Sequence, residues 1–164
     1  MVLPGKDLET LAAYLVQTLR SVKVSWDVPT RSGQIDVVLR DEGSEKEARP
    51  WSGEYVFIEC KDRGERVDVS ALGAFSSKLS GAKVKTGIVL SREGLTGRGQ
   101  RKYAEDFRNL IFNETGIAIM SIRISELHKL RSGRDFLELL RHKYEEVKFG
   151  TRRRRRKKAR KKGT

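Results

Sequence analysis

The stretch "VFIECKDRG", Val56 to Gly64, decides how the chain is to be read, because a run of strand-forming apolar residues ends in Glu59 and Lys61 with Cys60 between them. Side chains alternate along a strand, so Val56, Ile58 and Cys60 share one face while Phe57, Glu59 and Lys61 share the other. The carboxylate and the ammonium are therefore neighbours. Taken alone, an E-x-K pair is an ordinary ion pair at the solvated end of a strand and contributes little. Its surroundings in the chain give it more weight.

Upstream, "VKVSWDV" reads as an alternating strand stopped by Pro29, and "QIDVVLR", entered through "RSG", as a second strand that is apolar on both faces. Asp36 stands inside it. The charged stretch "DEGSEKEARPWSGE" reads as a solvated connection to the strand from Tyr55 to Lys61, which makes a three-stranded meander. Before the meander, "GKDLETLAAYLVQTLR" spaces Leu8, Leu11, Ala12, Leu15 and Leu19 as an amphipathic helix that starts after Pro4 and Gly5. At about 100° per residue, Glu9 falls about 90° from the centre of the apolar stripe, at its half-covered edge.

Downstream, a helix from Ser70 to about Leu79 turns Leu72, Phe75 and Leu79 inward, with Asp68 or Ser70 as its N-cap. "KTGIVLS" is a buried strand. "GRGQRKYAEDFRNLIFNETG" holds a helix with Tyr103, Phe107, Leu110 and Ile111 inward and Gly116 as its stop, and "IAIMSIR" is another buried strand. The order is α-β-β-β-α-β-α-β. A last amphipathic helix, from about Ser125 or Arg134 to Lys148, carries Phe136, Leu139, Leu140 and Val147 and is expected to cap the sheet edge or to form a dimer surface.

A chain of 164 residues, 37% hydrophobic and 35% charged, suits one domain with a core of its own. One cysteine excludes an internal disulfide, and His128 and His142 lie too far from Cys60 in sequence for zinc-ligand spacing, so both histidines are read as surface residues. No apolar run is long enough to cross a bilayer, and "MVLPGKDLET" lacks a signal core, so the expectation is a soluble, cytoplasmic protein without a membrane partner. "GRGQRK" lacks the endings of the dinucleotide and triphosphate loops, which argues against a nucleotide cofactor. The net charge of +13 divides unevenly: the tail "TRRRRRKKARKKGT" carries ten Lys/Arg and no acid, and +13 less ten leaves +3 for the other 150 residues. Such a block repels itself and buries nothing, so residues 151–164 are expected to form a disordered arm that neutralises phosphates. Its candidate nucleic-acid contacts are Arg152, Arg153, Arg154, Arg155, Arg156, Lys157 and Lys158, joined in the folded part by Arg31, Arg63 and Lys78.

Asp36, Glu59 and Lys61 lie on strands that are consecutive and, through a hairpin, expected to be adjacent. A carboxylate in a strand as apolar as that of Asp36 needs a cation, since an unpartnered one would cost several kcal/mol. Lys61 supplies one charge. Two or three acids around a single lysine leave negative charge over, which a hard divalent ion held by carboxylates, a backbone carbonyl and water would compensate. Read singly, Asp36 could instead cap the hairpin, and Glu9 could be a helix-surface acid. Cys60, on the opposite face from Glu59, is read as a small core residue rather than a nucleophile.

With these residues in view, the chain resembles the PD-(D/E)xK nuclease superfamily, most closely its restriction-endonuclease-like Mrr branch. The resemblance runs from about Gly5 to Leu130. It rests on the "LETLAAYLVQTL" helix with Glu9, the "SGQID" turn and strand ending in Asp36, the "IECK" strand, and the following helix and the "TGIVLS" and "GIAIMSI" strands in the family's order. It implies an α/β fold with an αβββαβ core, a mixed central sheet flanked by helices, Mg²⁺ (or Mn²⁺) dependence and phosphodiester hydrolysis. Carried over by position, Asp36 and Glu59 would ligate the metal with the backbone carbonyl of Cys60, Lys61 would orient water or stabilise the phosphorane, and Glu9 would complete the acidic pocket. Close Mrr relatives often have glutamine where this chain has Glu59, which favours a metal-competent site. The helix after the strand often supplies a glutamine, where "VSALGAFSSKL" offers Ser76, Ser77 and Lys78.

The domain reading is a nuclease-like unit over 1–131, a helical extension over 132–150 and the tail over 151–164. Three functions compete: an Mg²⁺-dependent DNA endonuclease of restriction or repair type, a structure-specific nuclease such as a Holliday-junction resolvase that would act as an obligatory dimer, and a nuclease-derived DNA-binding protein without catalysis.

Overall fold

The structure is a computed structural model that describes residues 6–43, 47–62, 64, 66–96 and 103–150. Pro4, Gly5, Arg63 and the basic tail from residue 151 lie outside the described residues. Helix α1 (Asp7–Gln17) precedes strands β1 (Val22–Thr30), β2 (Gly33–Asp41) and β3 (Tyr55–Lys61). Then come α2 (Val69–Gly81), β4 (Thr86–Ser91), α3 (Tyr103–Thr115), β5 (Ala118–Arg123), the single turn α4 (Ile124–Leu127) and α5 (Gly133–Phe149).

The five strands form one sheet in the order β1-β2-β3-β4-β5, antiparallel in the meander and parallel from β3 to β5. This is the mixed α/β sheet expected from the sequence. The two parallel crossovers step in the same direction, and connections of one hand then put α2 and α3 on the same face. The other face is left to α1 and α5. Two apolar layers result: Leu8, Val16, Val37, Ile58, Met120 and Leu140 are among the residues on the α1/α5 side, and Ile35, Phe57, Leu72, Phe75, Leu79 and Ile119 are among those on the α2/α3 side. Covered on both faces, β4 buries all six of its residues, as an interior parallel strand should.

Three local expectations change. Strand β1 is not stopped by Pro29 but runs on to Thr30, with Pro29 paired opposite Gln34. As an edge strand it can carry a residue without an N–H. The 41–54 connection is less solvated than its charge suggests. Trp51 belongs to the core, and the largely covered Arg49 side chain has its Nε 2.9 Å from Asp41 and its Nη1 2.6 Å from Glu47, while its Nη2 donates to the carbonyl of Arg20. Helix α3 docks rotated from the expected face: Ile111 is buried and Phe107 packs against the core as read, but Tyr103 and Leu110 are exposed and Ala104 and Arg108 are buried in their place. The last helix takes the later of its two expected starts: α4 is a separate turn, and α5 packs on the edge strand β5 and lays Phe136, Leu137, Leu140 and Val147 into the α1/α5 layer. His128 and His142 are exposed, as read.

Helix α2 sits where it does for two reasons. Asp68 caps its N-terminus by accepting from the backbone N–H of Ala71 at 2.8 Å. Beneath it, Gly87 in β4 leaves the room that Phe75 and Leu79 need, since a Cβ there would lie 2.7 Å from Phe75 Cε1 and 2.8 Å from Leu79 Cδ1.

Candidate active site

Strands β2 and β3 pair from Arg40↔Tyr55 to Val37↔Ile58, and no pair follows on the Asp36 side. On its other flank β2 stays paired with β1 to the hairpin turn, so β2 leaves β3 while remaining in the sheet. The Asp36 side chain fills the fork, its Oδ2 accepting the backbone N–H of Cys60 at 2.7 Å. The strand's face alternation breaks at the same place, because Ile35 packs on the α2/α3 side and Val37, two residues on, on the α1/α5 side. Opposite Asp36, between the pairs Trp26↔Val37 and Val28↔Ile35, Asp27 has φ +50° and is held by Lys6 Nζ at 2.8 Å and Gln34 Nε2 at 2.8 Å. A charge is tolerated in this apolar strand because its carboxylate replaces a missing ladder partner.

Across the fork, the alternation in β3 is as read: Val56, Ile58 and Cys60 face α1 and α5, Phe57 faces α2, and Lys61 Nζ lies 3.0 Å from Glu59 Oε1. Glu59 has a second cation. Lys78, from α2, reaches Glu59 Oε2 at 3.2 Å and Oε1 at 3.3 Å, and donates to the backbone carbonyl of Gln34 at 2.8 Å. One ammonium thus bridges β2, β3 and α2 where the strands separate. The side chains of Glu59, Lys78 and Lys61 are 9%, 18% and 41% exposed, so Lys61 is the cation that opens to solvent.

Glu9 completes the group from α1 through its charge. Burial, then the charges of Asp36, Asp27 and Glu59 working against Lys6, hold its carboxyl above the usual range. Asp36 is raised as well, chiefly by burial and further by Glu59, against the lowering effects of the Cys60 N–H, Lys61 and Lys78. In both, burial is the leading cause and a neighbouring carboxylate adds to it. Burial, then Asp36, Glu9 and Glu59, push the Cys60 thiol far above its usual value, which suits a residue of the α1/α5 layer and not a thiolate.

The sequence-derived residues Glu9, Asp36, Glu59, Lys61 and Lys78 therefore come together at one end of the sheet. Arg31 is exposed at the β1–β2 turn. Arg63 and Arg152 to Lys158 lie outside the described residues. Two features escaped the sequence reading: the carbonyl of Gln34 as an anchor, and the inward turn of Lys78, which flanks the Phe75/Leu79 face of α2. The helical period puts residue 78 at the border of that face, and this was the available signal.

Comparison with known proteins agrees with this architecture. Residues 2–118 match the Mrr_cat family, described as restriction endonuclease. The chain belongs to that family. The crystal structure of a protein of unknown function, AF1548, superposes with a TM-score of 0.50 over 79% of this chain at 13% identity, and the chain spans 62% of that protein's length. At that identity the likeness concerns the fold. No curated protein matches the chain. No described helix is long and apolar enough to cross a membrane.

The family implies a divalent metal. Among the described residues no group of three or more His, Cys, Asp or Glu side chains is arranged to hold one. Mg²⁺ does not require three, since it commonly takes one or two carboxylates and keeps several waters. Asp36 and Glu59 are hard oxygen donors of that kind, and the raised carboxyls of Asp36 and Glu9 mark a place where added positive charge is favourable. The residues fit the ion.

Proposed function

We propose that the chain is an Mg²⁺- or Mn²⁺-dependent endodeoxyribonuclease that hydrolyses phosphodiester bonds at the β2/β3 fork. The observation that carries the reading is the bond from the Cys60 N–H to Asp36 at the end of strand pairing, which aligns the Asp36 carboxylate beside Glu59 and Lys61. Asp36, Glu59 and the carbonyl of Cys60 would hold the ion. When bound, it would neutralise phosphoryl oxygens and make a water acidic enough to serve as nucleophile.

The chain's own groups do the rest. Lys61, the more open ammonium, approaches the scissile phosphate and stabilises the charge that develops on it. Glu9, with its raised pKa, holds a proton or a water at the acidic end of the pocket. The ten cations of residues 151–164 supply sequence-independent attraction to the DNA backbone.

The test is conversion of supercoiled plasmid to nicked or linear forms with Mg²⁺ or Mn²⁺, compared with EDTA. Closed circles have no ends, so their cleavage reports endonucleolytic attack. Asp36→Ala and Lys61→Ala should each abolish it in folded protein. Equal cleavage in EDTA, or by the Asp36→Ala variant, rejects the reading.

A further inference from the structure

We infer that Lys78 is an internal counter-cation that competes with the divalent ion for Glu59 and so sets the protein's metal affinity. Lys78 Nζ lies 3.2 and 3.3 Å from the two Glu59 oxygens, which leaves Glu59 no oxygen free of an ammonium, since Lys61 also takes Oε1 at 3.0 Å. Unlike Lys61, Lys78 is anchored: its bond to the Gln34 carbonyl at 2.8 Å keeps the charge in the fork, and its side chain is mostly buried. Any cation that uses Glu59 must share or displace that ammonium. Like charges a few ångströms apart in a partly buried site repel by several kcal/mol before screening.

The same contact has a second effect. Held by α2 and by β2, Lys78 orients the Glu59 carboxylate before an ion arrives, so the site starts in an ordered state with part of its negative charge already offset. Lys78 is in this sense a positioning residue: it lowers affinity for the ion and keeps the ligand in place. The two effects make its removal distinguishable from simple damage, because damage weakens both metal binding and cleavage.

This rests on the reading of Asp36 and Glu59 as metal ligands. The experiment is Mn²⁺ binding to the full-length protein without DNA, followed by calorimetry and by the resonance signal of free Mn²⁺, for wild type, Asp36→Ala, Lys78→Met, Lys78→Gln and Lys78→Arg, with thermal unfolding of each. The glutamine variant keeps a donor for the Gln34 carbonyl if the methionine variant does not fold. The expected result is Mn²⁺ binding about tenfold tighter in the neutral Lys78 variants, while plasmid cleavage at saturating Mn²⁺ falls and Lys78→Arg restores both values toward wild type. Unchanged or weaker Mn²⁺ binding in a folded Lys78 variant, with wild-type binding that depends on Asp36, overturns the role of Lys78 and leaves the metal site standing. Absence of Asp36-dependent binding in wild type and variants alike removes the metal site and this role with it.

Discussion

The Asp36 carboxylate and the Cys60 N–H meet at 2.7 Å at the point where β2 and β3 cease to pair, so one side chain is both a structural cap and a candidate ligand. The two roles can be separated by substitution. Asp36→Asn keeps an acceptor for the N–H and removes a charge that burial opposes, so it should fold at least as stably as wild type at neutral pH and lose cleavage. Asp36→Ala should lose cleavage and about 1–2 kcal/mol of stability in urea unfolding, because the N–H is left without its partner. Equal stability of the two variants would show that the cap contributes nothing.

Glu9 and Asp36 both have carboxyls raised in the folded protein, which fixes the sign of their pH effect. A raised group contributes stability below its unfolded pKa and loses that contribution as pH rises through the folded value. In metal-free protein the Glu9→Gln variant should therefore match wild type at about pH 4 and become the more stable of the two as pH rises toward about 7. Thermal unfolding across that range checks it, and a gain that shrinks with rising pH contradicts the assignment. Cleavage should fall less in Glu9→Gln than in Asp36→Ala, since Glu9 acts on the site through its charge.

Gly87→Ala should destabilise the fold by about 1–3 kcal/mol, because its Cβ would meet Phe75 and Leu79 at 2.7 and 2.8 Å. It should also slow cleavage at saturating metal, since α2 carries Lys78. Gly73→Ala, whose nearest neighbour is Phe107 at 3.8 Å, is the control within α2 itself and should be neutral or stabilising. Urea unfolding and plasmid assays on the pair separate the packing effect from a general sensitivity to alanine.

Deleting residues 151–164 should flatten the dependence of DNA affinity on salt by up to about 0.9 log units for each phosphate that is no longer neutralised, equally on unrelated duplexes. Single-turnover cleavage at saturating DNA should stay near the full-length value. An unchanged slope would mean that the ten cations do not touch the DNA backbone.

The sequence by itself determined the element order, the class of sheet and four side chains of the candidate site. Those properties are local or periodic: alternation put Glu59 beside Lys61, a charge interrupting the apolar run of β2 singled out Asp36, and the edge of the helical stripe singled out Glu9. Tertiary structure decided the rest. A helical period says which residues share a face, but docking chooses the rotation, and α3 turned Ala104 and Arg108 inward where Tyr103 and Leu110 were expected. Pairing in a meander says that β2 and β3 are neighbours, yet only the folded sheet shows that they part after Val37↔Ile58, which is what lets Asp36 reach the Cys60 N–H. Lys78 is the sharpest case. Its sequence reads equally well as a phosphate contact on a helix surface, and its direction depends on how closely α2 approaches β4, a distance governed by the missing side chain at Gly87 and by the carbonyl of Gln34, 44 residues away.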